Sequence, residues 1–204
     1  MQGANELFIY NLFRNILKAS IVMEGRFHVL KGNGIDANSS NFGEIVKDEL
    51  DGLKLAKKYP VVILQPPTEF QTIDDKGWSS YRLHMYFLTL DKRTGDGDIK
   101  GVDVITNTST HTMEQDWKDM REVAGSFRKQ LRTILRDCPV LKETGKVVDT
   151  YSRVSYKGNA RLNGVYLTFE LRLWDGLSCN ELDDYQLGIE IEIPEYNTHP
   201  LHKH

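Results

Sequence analysis

The stretch RLNGVYLTFELRLW, residues 161–174, decides how the rest of the chain is organised. Val165, Leu167, Phe169, Leu171 and Leu173 alternate with Tyr166, Thr168, Glu170, Arg172 and Trp174. Side chains of a strand point alternately to its two faces, so the first set builds a core and the second meets water or a partner. Ten residues from Val165 extend about 33 Å, which is long for a strand in a globular domain. The polar face carries two large aromatics and an opposed charge pair, but no histidine.

A sheet grows outward from this strand. YRLHMYFLTLD, residues 81–91, reads as a second long strand. Tyr81, Leu83, Met85, Phe87 and Thr89 share one face; Arg82, His84, Tyr86, Leu88 and Leu90 share the other, and both faces are expected to be covered. VVDTYSRVSYKG, residues 147–158, is a strand that joins 161–174 as a hairpin, through a connection containing Gly158, Asn159, Asn163 and Gly164. PVVILQPP reads as a buried strand bounded by Pro60, Pro66 and Pro67. IVMEGRFHVLKG, residues 21–32, reads as a strand that breaks at Gly32-Asn33-Gly34, and residues 68–80, TEFQTIDDKGWSS, as a loop.

Two long helical patterns flank these strands. In residues 4–19, Phe8, Leu12 and Ile16 form one stripe and Ile9, Phe13 and Leu17 the next. The stronger pattern starts at Thr112, a cap with Gln115 as its capping-box partner. Trp117, Met120, Val123, Ala124, Phe127, Leu131, Ile134 and Leu135 continue it, until Asp137, Cys138 and Pro139 end it. Residues 44–58, EIVKDELDGLKLAKK, read as a short helix interrupted by Gly52. The order is helix, strand, strand, strand, helix, strand, strand. It predicts an α+β fold, a mixed or antiparallel sheet with helices packed on one face. We expect a single domain over 1–174 with a loop insertion at about 31–58. Residues 175–204 follow as an acidic arm, whose GIEIEIP (188–194) reads as an edge strand or a segment that pairs outside its own domain.

Composition is that of a globular protein: 204 residues, 40% apolar and 27% charged. The net charge of −3 gives the whole molecule no general attraction to nucleic acid. The charge is uneven. Residues 175–204 hold seven acids and one base, which leaves 25 bases and 22 acids in residues 1–174 out of the chain totals of 26 and 29. Cys138 and Cys179 form no disulfide framework. The first residues lack a secretory signal, and the apolar runs are too short for a membrane helix.

Candidate chemistry is sparse. TGDGDIKGVD (94–103) offers Asp96, Asp98 and Asp103 as oxygen ligands, but its spacing departs from the EF-hand loop and suits turns better. Three of the six histidines fall in HPLHKH at the end of the chain, and His84 inside a strand reads as a hydrogen-bonded structural histidine. No H-E-x-x-H, paired C-x-x-C, G-x-S-x-G, Walker or G-x-G-x-x-G motif occurs, so neither catalysis nor a cofactor is expected. A dispersed hydrolase or transferase site would bring His84 and His111 first to attention.

Arg121, Arg128, Arg132 and Arg136 form a stripe on the main helix, with Gly125 between them. Their simplest reading is a solvated face: Glu114, Asp116 and Asp119 sit early in the helix and the bases late, which complements its dipole. A contact with another subunit, including its acidic tail, ranks next, and phosphate binding third. Gly125 is expected to permit close helix packing. Trp78, in the expected loop, either anchors an interface or folds back on its own core.

An amphipathic first helix, long strands, one main helix before a terminal hairpin, and extended loops resemble the tail-terminator and tail-completion proteins of tailed phages. YRLHMYFLTLD, EQDWKDMREVAGSFRKQL and RLNGVYLTFELRLW are also similar in style to neck and ring proteins of crAss-like phages. The resemblance is one of topology and covers residues 4–174. It implies a non-enzymatic virion protein, made in the host cytoplasm. Such a protein forms a homo-oligomeric ring in the neck or tail as terminator, adaptor or stopper. Its partners would be adjacent portal, neck or tail proteins, with DNA passing through the lumen unread. Under that implication the subunit contacts would use Trp78, Arg121, Arg128, Arg132, Ile189, Glu190, Ile191, Glu192 and Ile193. The competing expectation is a nucleic-acid-binding α+β module that uses the arginine stripe.

Overall fold

The computed structural model describes residues 3–30, 42–50, 59–66, 70–72, 78–90, 108–144, 148–155 and 162–174. In chain order these form α1 (Gly3–Lys18), β1 (Phe27–Val29), α2 (Phe42–Glu49), β2 (Val61–Gln65), β3 (Phe70–Thr72) and β4 (Trp78–Leu90). They continue with α3 (Thr108–Asp137), β5 (Leu141–Glu143), β6 (Thr150–Ser155) and β7 (Leu162–Trp174). The fold is α+β, as the order of patterns predicts.

Two thirteen-residue strands, β4 and β7, are the spine of the sheet. They pair antiparallel along their whole length, from Trp78↔Trp174 to Leu90↔Leu162. Each carries two shorter antiparallel strands end to end on its other edge: β2 and β3 on β4, β5 and β6 on β7. β1 adds outside β2 in parallel, which makes the sheet mixed. The expected hairpin between β6 and β7 is present, in register from Thr150↔Thr168 to Ser155↔Asn163.

The inward row of β7 is buried as its alternation requires: Val165, Leu167, Phe169, Leu171 and Leu173. Both stripes of α1 and the apolar positions Met120, Val123, Ala124, Phe127 and Leu131 of α3 cover that face. Phe127 is the hub. Its ring meets Phe13 edge-on at 5.2 Å and lies 5.9 Å from Phe87 and 6.4 Å from Phe169, so one side chain joins α1, α3, β4 and β7.

The expectation of helices on one face alone is corrected by α2. Phe42, Val46 and Leu50, four residues apart, pack with Val61, Ile63, Tyr86, Leu88 and Leu162 on the opposite face. The reason lies in β1 and β2. Parallel neighbours need a crossover, and α2 lies between them in the chain while α1 and α3 already fill the first face. β2 is apolar on both sides and so needs cover on both: Val62 and Leu64 join one core, Val61 and Ile63 the other.

Several boundaries move. Residues 20–25 form a turn instead of opening a strand. The Ser20 hydroxyl accepts the Met23 N–H at 3.3 Å, Glu24 and Gly25 take left-handed backbone (φ 48° and 76°), and Gly25 N–H donates to Leu17 O at 3.0 Å. Arg26 ties this turn to β2, donating to Val22 O at 2.6 Å and Pro60 O at 2.8 Å. The expected loop at 68–80 contributes β3 and the first residues of β4, because β7 is long enough to template pairing as far as Trp78. Asn163 and Gly164 lie inside β7, not in the hairpin connection.

Thr112 does not cap α3, which begins at Thr108. Gln115 donates to Asp119 Oδ1 at 2.7 Å. The helix ends at Asp137 as expected, followed by a partly buried free thiol at Cys138. β5 had no visible signal in the sequence. The insertion at 31–58 contributes α2; the Asp/Gly-rich run at 94–103 and the arm at 175–204 lie outside the described residues.

Candidate interaction surface

Glu114, Trp117, Lys118 and Arg121 stand three, four and seven residues along α3 and so share one helix face. The hairpin brings β6 beneath it. Register places Tyr151 opposite Leu167 and Arg153 opposite Val165, so these two side chains rise on the α3 side of the sheet. The result is a groove of about 330 Å³ between α3 and β6, lined by Glu114, Trp117, Lys118, Arg121, Tyr151 and Arg153 among others.

Its cations are held over aromatic faces. The Arg153 guanidinium lies 4.7 Å from the centre of the Trp117 ring, and that of Arg121 lies 5.9 Å from Tyr151. Burial, reinforced by Asp149, pushes the Tyr151 hydroxyl up against the opposing pull of Arg128, Arg132 and Arg121. It stays protonated at neutral pH and remains a donor. Three cations and one carboxylate line the groove, so it favours an anionic occupant.

The outer edge of β6 borders the same groove. Trp117 Nε1–H donates to Val154 O at 2.9 Å, which fastens α3 to the end of β6. Trp174 N–H donates to Val140 O, so the even-numbered residues of β7 turn toward β5 and β6. Their partners Thr150 and Ser152 turn toward β7, and alternation leaves the N–H and C=O of Tyr151 and Arg153 on the outer edge. Among the described residues, β6 pairs with β7 alone. It carries no proline, and five of its six residues are polar or aromatic.

The arginine stripe is not one solvent-facing surface. Arg128 is only 3% exposed. It donates to Asp149 at 2.7 and 3.0 Å and to Glu143 at 2.5 Å, with its guanidinium 4.4 Å above the Phe169 ring. Arg132 donates to the same two carboxylates at 2.8 and 3.0 Å but is 55% exposed. Desolvation is the largest single effect on Arg132 and lowers its pKa, but the hydrogen bond to Glu143 and the charges of Asp149 and Glu143 together outweigh it and raise the pKa. These charges fasten α3 to β5 and to the start of β6. Arg128, expected at a subunit contact, is buried in ion pairs within its own chain. Of the stripe, Arg121 reaches the groove.

The acids early in α3 also do more than complement a dipole. No acid lies in the first turn. Asp116 is buried and accepts from Asn163 Nδ2 at 3.2 Å, which links α3 to β7. Gly125 does not serve close packing, since a Cβ built there meets nothing within 4 Å.

Trp78 begins β4 on the sheet face opposite α3, half-buried, with Lys142 Nζ 4.9 Å from its ring centre. It is neither a loop residue nor a neighbour of the arginines in the sheet register. The Glu170 carboxylate accepts from Ser80 on that same face. His84 hydrogen-bonds the Tyr166 hydroxyl and stacks parallel to that ring at 5.6 Å. Burial, helped by Arg82, lowers its pKa. These contacts fit the structural histidine expected there. His111 lies in α3. Ile189, Glu190, Ile191, Glu192 and Ile193 lie outside the described residues, as do His199, His202 and His204.

Sequence reading missed Trp117, Lys118, Tyr151 and Arg153 as one surface. By sequence alone Trp117 belongs to the apolar stripe, and Tyr151 and Arg153 to an ordinary hairpin. The available signal was the shift from apolar to charged neighbours around Trp117, together with the alternation of Tyr151 and Arg153. Among the described residues no group of three or more His, Cys, Asp and Glu side chains is placed to hold a metal ion, and no helix is long and apolar enough to cross a membrane. No protein-family model matches this chain, and no curated protein matches it.

Proposed function

We propose that this chain is a structural subunit that assembles with copies of itself, as a ring in the neck or tail of a tailed phage. The observation that carries the reading is the outer edge of β6, unpaired among the described residues, beside a positively charged groove. Such an edge recruits another strand unless something blunts it. A closed ring needs contacts in which one patch meets a different patch on the next copy. The topological resemblance over residues 4–174 supplies the phage context, with portal, neck or tail proteins as further partners and DNA passing through the lumen. Arg128 and Arg132 support a scaffold role, since their charge is spent on holding elements together.

Negative-stain electron microscopy and native mass over a concentration series test this reading. Closed rings are the expected outcome. A monomer at every concentration, alone and with a co-purified portal, overturns it.

A second reading is favoured by the groove itself: cations interleaved with Trp117 and Tyr151 suit a single-stranded nucleic acid, whose bases stack and whose phosphates pair. It now rests on Lys118, Arg121 and Arg153 in place of Arg128 and Arg132. It predicts binding that weakens with salt and with each of the three cations removed. Binding indifferent to both rejects it.

A further inference from the structure

Three observations meet at one edge. First, β6 offers outward backbone donors and acceptors at Tyr151 and Arg153 with no strand beside them among the described residues. Second, the α3 side of that edge is basic, with Lys118, Arg121 and Arg153, while its other side carries Val154, which packs against the α2 core. Third, the chain contains one short segment patterned for both sides at once: in GIEIEIP, Glu190 and Glu192 alternate with Ile189, Ile191 and Ile193.

We infer that the outer edge of β6 is the acceptor for residues 188–194 of a neighbouring copy, which add there as a further strand. The inference rests on the assembly reading above. Strand addition takes its affinity from main-chain hydrogen bonds and its specificity from alternate side chains. Only one facing satisfies both sides: Glu190 and Glu192 lie over Lys118, Arg121 and Arg153, and the isoleucines lie beside Val154 and extend the α2 core. A one-residue slip would put isoleucine among the cations and glutamate beside Val154, so the charge pattern selects the register. Association in trans is what the assembly reading requires, since a head-to-tail contact joins different patches of two copies.

Disulfide trapping tests the pairing in the full-length protein. In a Cys138→Ser/Cys179→Ser background, one preparation carries Ser152→Cys and a second carries Ile191→Cys. Mild oxidation of the mixture should give a covalent dimer that neither preparation gives alone. If no dimer forms while the unmodified protein still assembles, the arm inference is overturned and the assembly reading stands. If the unmodified protein is monomeric as well, both fall. If the double variant closes only on itself, as a fast-migrating monomer, the contact is in cis and the inference is overturned.

Charge exchange is the second arm of the test. Lys118→Glu/Arg153→Glu should weaken assembly at least tenfold. Glu190→Lys/Glu192→Lys should do the same, and combining the two sets should restore it. Failure of the combination to restore assembly, with both parents folded by circular dichroism, overturns the facing described here.

Discussion

At the scale of single residues, two glycines with opposite surroundings predict opposite outcomes. A Cβ on Gly164 would overlap the Phe87 carbonyl and lie 3.0 Å from Leu88 Cα, so β4 and β7 approach too closely there for any side chain. Gly164→Ala is expected to lower stability by several kcal/mol, on the order of other backbone-displacing overpacking changes. Gly125 sits in a helix interior with open space around it, and Gly125→Ala should raise stability by about 0.5–1 kcal/mol. Urea midpoints for the two variants check both signs.

The arginines separate in the same way. Removing Arg128 leaves two carboxylates short of a buried partner and strips a cation from the Phe169 ring, so Arg128→Ala should cost about 3–5 kcal/mol. Arg132 is exposed, and Arg132→Ala should cost at most about 1 kcal/mol. Equal costs would mean that burial does not set the difference.

His84 gives a pH dependence. Its folded pKa is lowered, so the unfolded chain takes up this proton first as the pH falls. The stability contributed by the neutral ring is full above about pH 6.5 and is lost as the pH drops through that value toward the folded pKa. In the tautomer protonated on Nε2, Nδ1 accepts from the hydroxyls of Tyr166 and Thr168, and charging the ring removes that acceptor. The thermal midpoint of the wild type should therefore fall between pH 7.5 and 5.5 by more than that of His84→Gln. Parallel curves would clear His84 of the effect.

At the scale of elements, α3 carries most of the organisation. Its apolar face holds the core through Phe127, its early turns are pinned by Asp116 to β7, and its later turns are pinned by Arg128 and Arg132 to β5 and the start of β6. Phe127→Ala should cost about 3–5 kcal/mol and loosen four elements together, visible as a single lowered unfolding transition. A variant with two transitions would mean that α1 and α3 dock independently. α2 has a different task. It covers the crossover between two parallel strands, and its Phe42 ring lies 4.4 Å from that of Tyr86.

At the scale of the whole molecule, the outer edge of β6, unpaired among the described residues, lies next to a basic groove, and the acidic segment lies in the last thirty residues of the same chain. If these meet between copies, part of the attraction is Coulombic and part is apolar. Raising the salt from 0.1 to 1 M shortens the screening length from about 10 to 3 Å. The mean mass by light scattering should then fall without reaching that of the monomer. A mass that rises with salt would mean that isoleucine burial alone drives assembly.

The strands and helices were readable in advance wherever one face is apolar, because the period of the pattern is the period of the backbone. Val165 to Leu173, the two stripes of α1 and the stripe of α3 all lie where their alternation places them. So does the hydrogen-bonded state of His84. What could not be read is what depends on which elements become neighbours. The arginine spacing of α3 looks uniform, yet Glu143 and Asp149 approach Arg128 and Arg132 and leave Arg121 to the groove. Trp78 looks like a loop residue until β7 supplies a partner for it. α2 crosses to the second face because a parallel pair needs a connection there. Local periodicity is a property of the chain, whereas burial of a charge, extension of a strand and choice of a face are properties of contacts between segments far apart in it.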